Sequence, residues 1–357
     1  MKKSLLYILA ITTALVSCSK DLEQDGGLLS TPLVFSPTTE WPEMEKGKAS
    51  GNGTKALINS ANDLQDYGIS LFATATKGGD TYPVFNNDEL KFTDGAWNYD
   101  LTKYWIPGAK YSFAAFAPYA GTTNTGKKIS NGAVSSTGTA TAPAITIENY
   151  ITGKVSTGSP QFDARSEDLL FATYTRDNTS GSDYSAVPLQ FNHLLSCITF
   201  YIRNATSNDI ESVYNIKLLG LKYKGTINLN LTNATINATE DVVGESDTYF
   251  TGSNRPTTEE STPFLPKGMS ENDYNYLFDC NNLTVLPQTV YGKNIRIEFT
   301  IKYTSGTTAK YSGNLSNIDD VTSWDKGKKY RYNITISSKD ILFQVAEIPW
   351  IENEVEL

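Results

Sequence analysis

The feature that most narrows what this chain can fold into is a period of two. Ile295, Ile297, Phe299, Ile301 and Tyr303 fall on one face of an extended segment, with Arg296, Glu298, Thr300 and Lys302 on the other. That is the pattern of a strand in a sheet with one wet side. Ile227, Leu229 and Leu231 alternate with Asn228 and Asn230 in the same way, and Tyr330, Tyr332, Ile334 and Ile336 with Arg331, Asn333, Thr335 and Ser337. From Ala56 onward the chain reads as short strands divided by Gly, Asn, Asp, Ser and Thr, with no long amphipathic helix. Such a pattern predicts an all-β protein built from β-sandwiches. The 357 residues suffice for two domains at about 100 to 200 residues each. A faint internal echo agrees: Gly108-Ala109-Lys110-Tyr111-Ser112-Phe113 recurs as Gly327-Lys328-Lys329-Tyr330-Arg331-Tyr332, each with a Trp upstream, Trp97 or Trp105 in the first case and Trp324 in the second. The boundary is expected near Val187-Pro188, after the turn residues Gly181 to Asp183, giving domains at 56–187 and 188–357.

The residues before Ala56 have a different texture. Lys2 and Lys3 precede an apolar run from Leu5 to Leu15, too short to span a bilayer, so 1–17 reads as a signal peptide. Leu15-Val16-Ser17-Cys18 resembles the lipobox of bacterial lipoproteins, which implies lipidation of Cys18 as the new N-terminus. Three acyl chains, at roughly 0.8 kcal/mol per buried methylene, would make that anchor close to irreversible. The acidic stretch Ser19 to Asp25 is similar to the export tag that carries some lipoproteins to the outer face of the outer membrane. Residues 18–55 then read as a tether whose one apolar run, between Cys18 and Lys55, is Leu33-Val34-Phe35.

The composition argues against several kinds of chemistry. A formal charge of -9 and dispersed basic residues do not suit nucleic acid. A single histidine, His193, flanked by apolar residues on an expected strand, reads as a hydrogen-bonded, half-buried structural residue and not as a catalytic base. No catalytic residue, metal site or cofactor is therefore assigned. Cys197 and Cys280 lack metal-ligand spacing and read as buried thiols in preference to a disulfide. The acidic pairs Asp319-Asp320 and Glu259-Glu260 read as solvated turns. With 21 Tyr and 5 Trp, stacking on sugars comes to mind, but most aromatics share the parity of Ile and Val, which points to core packing; Trp41 and Trp97 are the least constrained.

Several segments, taken in order, carry a resemblance. They are Ile69 to Thr74, Trp97, Tyr104-Trp105-Ile106-Pro107, Phe113-Ala114-Ala115-Phe116-Ala117-Pro118, Asp168-Leu169-Leu170-Phe171-Ala172, Leu189 to Ser196, Leu286-Pro287-Gln288, and Trp324 to Tyr330. Together they resemble the fimbrillin-like family of surface lipoproteins, the subunits of pili assembled outside the outer membrane. The resemblance implies two β-sandwich domains of transthyretin-like topology. It further implies removal of a lipidated N-terminal strand by an extracellular protease, after a basic residue, and the filling of the resulting groove by a strand from a neighbouring subunit. The matching position is Gly53-Thr54-Lys55-Ala56, with Lys55 where Arg is usual, and the strand removed would contain Leu33, Val34 and Phe35. The partners implied are other pilus subunits, a host or bacterial surface receptor, and the outer membrane through the lipid. In the tail, Ile341, Phe343 and Val345 alternate with Leu342, Gln344 and Ala346. It reads either as a donated strand or, in preference, as the last strand of its own domain. The alternatives of another class are a surface glycan-binding lipoprotein and an uncleaved pilus anchor.

Overall fold

The computed structural model describes residues 31–39, 58, 60–121, 129, 132–152, 154–155, 162–163, 168–240, 242, 244, 263–277, 283–318, 321–338 and 341–348. In chain order the elements begin with β1 (Phe35–Thr39), a one-turn helix α1 (Ala61–Leu64), β2 (Ile69–Lys77), β3 (Asp80–Thr93), β4 (Ala96–Asn98) and β5 (Lys110–Ala117). They continue with β6 (Ala133–Ser136), β7 (Ala144–Ile151), β8 (Lys154–Val155), β9 (Phe162–Asp163), β10 (Leu170–Asp177) and β11 (Val187–His193). Next are β12 (Ser196–Asn204), β13 (Ile210–Leu219), β14 (Lys224–Asn230), β15 (Ala234–Ala238), β16 (Asn275–Tyr276) and β17 (Leu283–Val285). The last are β18 (Gln288–Thr289), β19 (Arg296–Tyr303), β20 (Thr308–Asn314), β21 (Ser323–Trp324), β22 (Lys329–Ile336) and β23 (Ile341–Ile348). The protein is all-β, as the period of two predicts.

A seven-stranded sheet runs β1-β11-β10-β5-β2-β3-β4. At its centre β2 and β5 are buried on both faces. Ile69, Leu71, Ala73 and Ala75, with Tyr111, Phe113, Ala115 and Ala117, face one core, while Phe72, Ala114 and Phe116 face another. Strands covered on both sides lose the apolar-polar alternation, so Ile69 to Ala75 reads as a nearly unbroken apolar run. The sheet curls over the first core until strands from opposite ends of it meet: the Phe35 ring of β1 lies 5.6 Å from that of Phe85 on β3.

A second, four-stranded sheet, β15-β14-β7-β6, covers the other face. It joins the two halves of the chain, because β7 pairs antiparallel with β14, placing Ile147 against Ile227 and Ile145 against Leu229. Those residues pack onto Phe72 and Phe116. The residue pair 187/188 lies at the start of β11 and thus inside the seven-stranded sheet. The third core lies between β12-β22-β23, with β16 and β17 on the far side of β12, and the sheet β13-β19-β20. There Ile297, Phe299 and Ile301 of β19 point inward alongside Tyr332 and Ile334 of β22, as their alternation predicts.

The sequence echo corresponds to a repeated device. Gly108 and Gly327 both hold positive φ, +72° and +71°, a conformation that costs glycine little and turns the chain into the next strand. Three residues on, the Tyr111 hydroxyl accepts the Ile106 N–H at 2.5 Å and the Tyr330 hydroxyl accepts the Asp325 N–H at 2.9 Å. The tryptophan just before each turn is buried edge-on to the strand that follows, Trp105 at 6.1 Å from Phe113 and Trp324 at 6.5 Å from Tyr332. In the second half the Trp324 indole also donates to the Tyr332 hydroxyl at 2.9 Å. Burial pushes the Tyr111 and Tyr330 hydroxyls above their ordinary range, although the N–H each accepts pulls in the other direction.

Tyr111→Phe and Tyr330→Phe each leave a partly buried N–H without its acceptor while keeping the ring. Each is expected to lower stability by about 1 kcal/mol, read from the midpoint of urea unfolding. Two variants as stable as the wild type would mean that the repeated bond contributes nothing.

Candidate strand-binding groove

The edge of the seven-stranded sheet is closed by a segment that belongs to neither sandwich in sequence. Residues 31–33 first run beside 103–105: Trp105 N–H donates to Thr31 O at 3.1 Å and Leu33 N–H to Lys103 O at 2.8 Å. The Tyr99 hydroxyl adds a 2.7 Å bond to Leu33 O. The segment then crosses to β11, where Val187 N–H donates to Val34 O at 2.8 Å. From there β1 lies parallel to β11, with Phe35 opposite Val187 and Thr39 opposite Phe191.

Its side chains alternate as a half-buried strand requires. Leu33 and Phe35 are 1% and 6% exposed, whereas Val34 is 45% exposed. The apolar run expected to form the removable strand is thus split, two of its residues filling the core and one facing outward. The strand also extends further than that run, through Ser36, Pro37, Thr38 and Thr39. Polar residues hide it in the sequence, but Pro37 sits at a position consistent with an edge. Because Val34 O faces β11, the even-numbered residues bond to β11 and the missing N–H of Pro37 falls on the open side.

The groove beneath is aromatic. Phe35 is held edge-on by Phe85, Tyr99 and Phe113 at centroid distances of 5.6, 5.8 and 6.0 Å. Val187, Leu189 and Phe191 of β11 complete the same core. One wall is the loop carrying Tyr99, whose hydroxyl also accepts the Lys103 N–H at 3.2 Å. Burial raises that hydroxyl's pKa, with the Lys103 bond opposing.

Arg176 braces the base of the groove. Its guanidinium lies 5.0 Å over the Trp105 ring and 5.3 Å over the Tyr174 ring, and it donates to the carbonyls of Ser185 at 2.6 Å and Ala186 at 3.3 Å, just before β11. Asp183, 3.5 Å from Arg176 Nε, is held below the ordinary carboxylate range by hydrogen bonding from Ser185, with Arg176 adding to it.

Other residues singled out in the sequence fall as follows. Cys18, Lys55, Ala56, Trp41, Cys280 and both acidic pairs lie outside the described residues. Cys197 is buried on β12. Trp97 packs edge-on against Phe92 at 5.4 Å. His193 ends β11 and is more deeply buried than expected, with Nδ1 2.7 Å from Asp168 Oδ1 and both side chains 1% exposed. The sequence holds the two residues in separate segments and carries no sign that they meet. The tail strand β23 pairs with β22 in its own chain, from Ile348 opposite Lys329 to Ile341 opposite Ile336.

Residues 54–350 match the family model described as fimbrillin-like. Among solved structures, a fimbrial protein from Bacteroides vulgatus is 18% identical, with a TM-score of 0.56, covering 90% of this chain and 99% of its own. A putative cell adhesion protein from Bacteroides ovatus is 14% identical, with a TM-score of 0.49, over 90% of this chain and 98% of its own. One from Bacteroides uniformis is 15% identical, with a TM-score of 0.43, over the same 90% of this chain and 98% of its own. No curated protein matches the chain.

If β1 is part of the closed fold, Phe35→Ala should cost about 3 to 5 kcal/mol, the range for emptying a buried aromatic site. Ser36→Ala, on the exposed face, should change stability by less than about 0.5 kcal/mol. Urea midpoints that do not separate these two variants would mean that β1 is not seated as described.

Proposed function

Because the chain belongs to the fimbrillin-like family, we propose that it is a subunit of a cell-surface pilus and that subunits join by exchanging a strand in the groove that β1 fills. The observation that carries this reading is β1 itself. Among the described residues it is an edge strand with a single ladder partner, it presents two apolar anchors to an aromatic groove through Phe35 and the Leu33 just before it, and it precedes every other strand. An edge whose backbone groups and pockets are left open is a template for another strand of the same pattern.

In this reading the precursor is lipidated at Cys18 and held at the outer membrane. A protease cuts between Lys55 and Ala56, in the stretch of chain that separates β1 from the first described residue of the retained body, the buried Ile58. The removed piece carries the lipid and β1 together, so one cut both frees the subunit and empties its groove. The role is structural or adhesive, and no reaction is assigned to the chain. The pairing of β23 with β22 in cis favours a subunit whose tail serves its own domain, as a tip or accessory component would.

Mass spectrometry of the intact protein from the cell surface tests the processing step. A start at Ala56 is expected, and Lys55→Ala should leave a lipidated start at Cys18 and abolish detergent-resistant, heat-labile ladders. Ladders of normal abundance from Lys55→Ala would sink the proposed cut. A lipidated Cys18 on wild-type protein within assembled fibres would favour an uncleaved anchor.

A further inference from the structure

Asp168 and His193 are a buried acid and imidazole that the groove itself does not use. The carboxylate sits just before β10 and the imidazole at the end of β11, strands that run antiparallel with Leu170 opposite His193. A 2.7 Å bond from Leu194 N–H to Leu169 O fastens the two backbones beside the pair. Asp168 Oδ1 faces His193 Nδ1, and its other oxygen, Oδ2, accepts the backbone N–H of Ile58 at 2.9 Å. Both carboxylate oxygens are thus engaged in a site closed to water. A buried carboxylate that lost one of those donors would be strongly disfavoured.

Ile58 makes the contact informative. It is fully buried and belongs to the same core as Leu33 and Phe35. Two residues later Ser60 caps α1, its hydroxyl accepting the Asp63 N–H at 3.1 Å, and the chain continues through buried Leu64 and Tyr67 into β2. At the other end of the intervening chain, β1 finishes at Thr39 opposite Phe191, two residues before His193. Thr39 and Ile58, the described residues on either side of that stretch, therefore both lie near one end of β11.

We infer that Asp168, oriented by His193, is a positioning residue that clasps Ile58 and so marks where the removable chain ends and the retained body begins. This rests on the processing reading above. The clasp keeps Ile58, α1 and the start of β2 in place when β1 departs. The cut then opens a groove of defined length without unravelling the next segment, and peptidases that trim the new end stop short of Ile58.

Hydrogen exchange on the full chain, followed by mass spectrometry before and after brief cleavage with lysyl endopeptidase, tests the clasp for wild type, Asp168→Ala and Asp168→Asn. In the cut wild type the Ile58 amide should remain protected. In Asp168→Ala it should exchange at least tenfold faster, while β5 keeps its protection. Protein of that variant recovered from cells should show ragged starts beyond Ile58. Asp168→Ala with β5 intact and wild-type protection at Ile58 overturns the clasp. If Asp168→Ala loses protection throughout, Asp168→Asn decides, since it keeps the shape and one acceptor oxygen. At least threefold faster exchange at Ile58 alone is then expected, and no change there overturns the clasp. A wild-type start other than Ala56 would defeat the processing site instead, and would leave the exchange result standing.

Discussion

The structure depends on closing a curled sheet over an aromatic core. Phe35 reaches from one edge strand to Phe85 near the other, with Tyr99 and Phe113 on either side. Without that ring the sheet would leave Phe85, Phe113, Leu189 and Phe191 beside an open seam, and apolar surface of that kind is worth about 25 cal/mol per Å² when covered. Closure therefore needs a strand there. The fold does not specify that the strand come from the same chain, because β11 offers only backbone groups and an alternating row of pockets.

The other face of the same sheet explains why such a seam is tolerable. Phe72 and Phe116 are covered by a sheet made from both halves of the sequence, with β7 of the first half paired to β14 of the second. The central strands β2 and β5 are thus fixed from behind whatever lies in front of them. The Arg176 brace on the chain entering β11 and the Asp168 contact to Ile58 hold the two flanks of the groove through side chains that do not include β1. The seam is a local feature of a body stabilised elsewhere.

Much of this is legible in the sequence where one face is wet. The alternation at Ile295 to Tyr303 and at Tyr330 to Ile336 gives strand, face and burial together, since period two encodes all three. The fimbrillin-like resemblance rests on residues that turn out to build the cores, Trp105, Phe113 and Phe116 among them. Pairing partners are another matter. Nothing in Ile145 to Ile147 indicates Ile227 to Leu229, because a strand's pattern states which side is buried and not which strand lies beside it. The polar half of β1 is not legible for a related reason, as Ser36, Thr38 and Thr39 are ordinary loop residues until Leu33 and Phe35 fix their register. At the level of letters the Gly-x-x-Tyr echo is faint and gives only mild support for two related domains. Its meaning lies in a hydrogen bond back to the residue five positions earlier, which no composition reveals.

The modest length of β1 bears on how one strand could be exchanged for another. Its five ladder residues, with Phe35 and the preceding Leu33 as the two principal anchors, give a few kcal/mol of apolar burial, at about 1.5 to 3 kcal/mol per large side chain. While covalently joined to the body, such a strand competes at the effective millimolar concentration that a short tether confers, so it wins against any dilute rival. A cut at the proposed site would alter none of the described contacts of β1. It removes the tether, and the same few kcal/mol must then hold a separate peptide against dilution and against any longer strand able to match the register from Val187 to Phe191. A firmer strand would close the fold better and exchange worse. Under the proposed exchange, the polar residues and Pro37 in the second half of β1 would keep it on the exchangeable side of that balance.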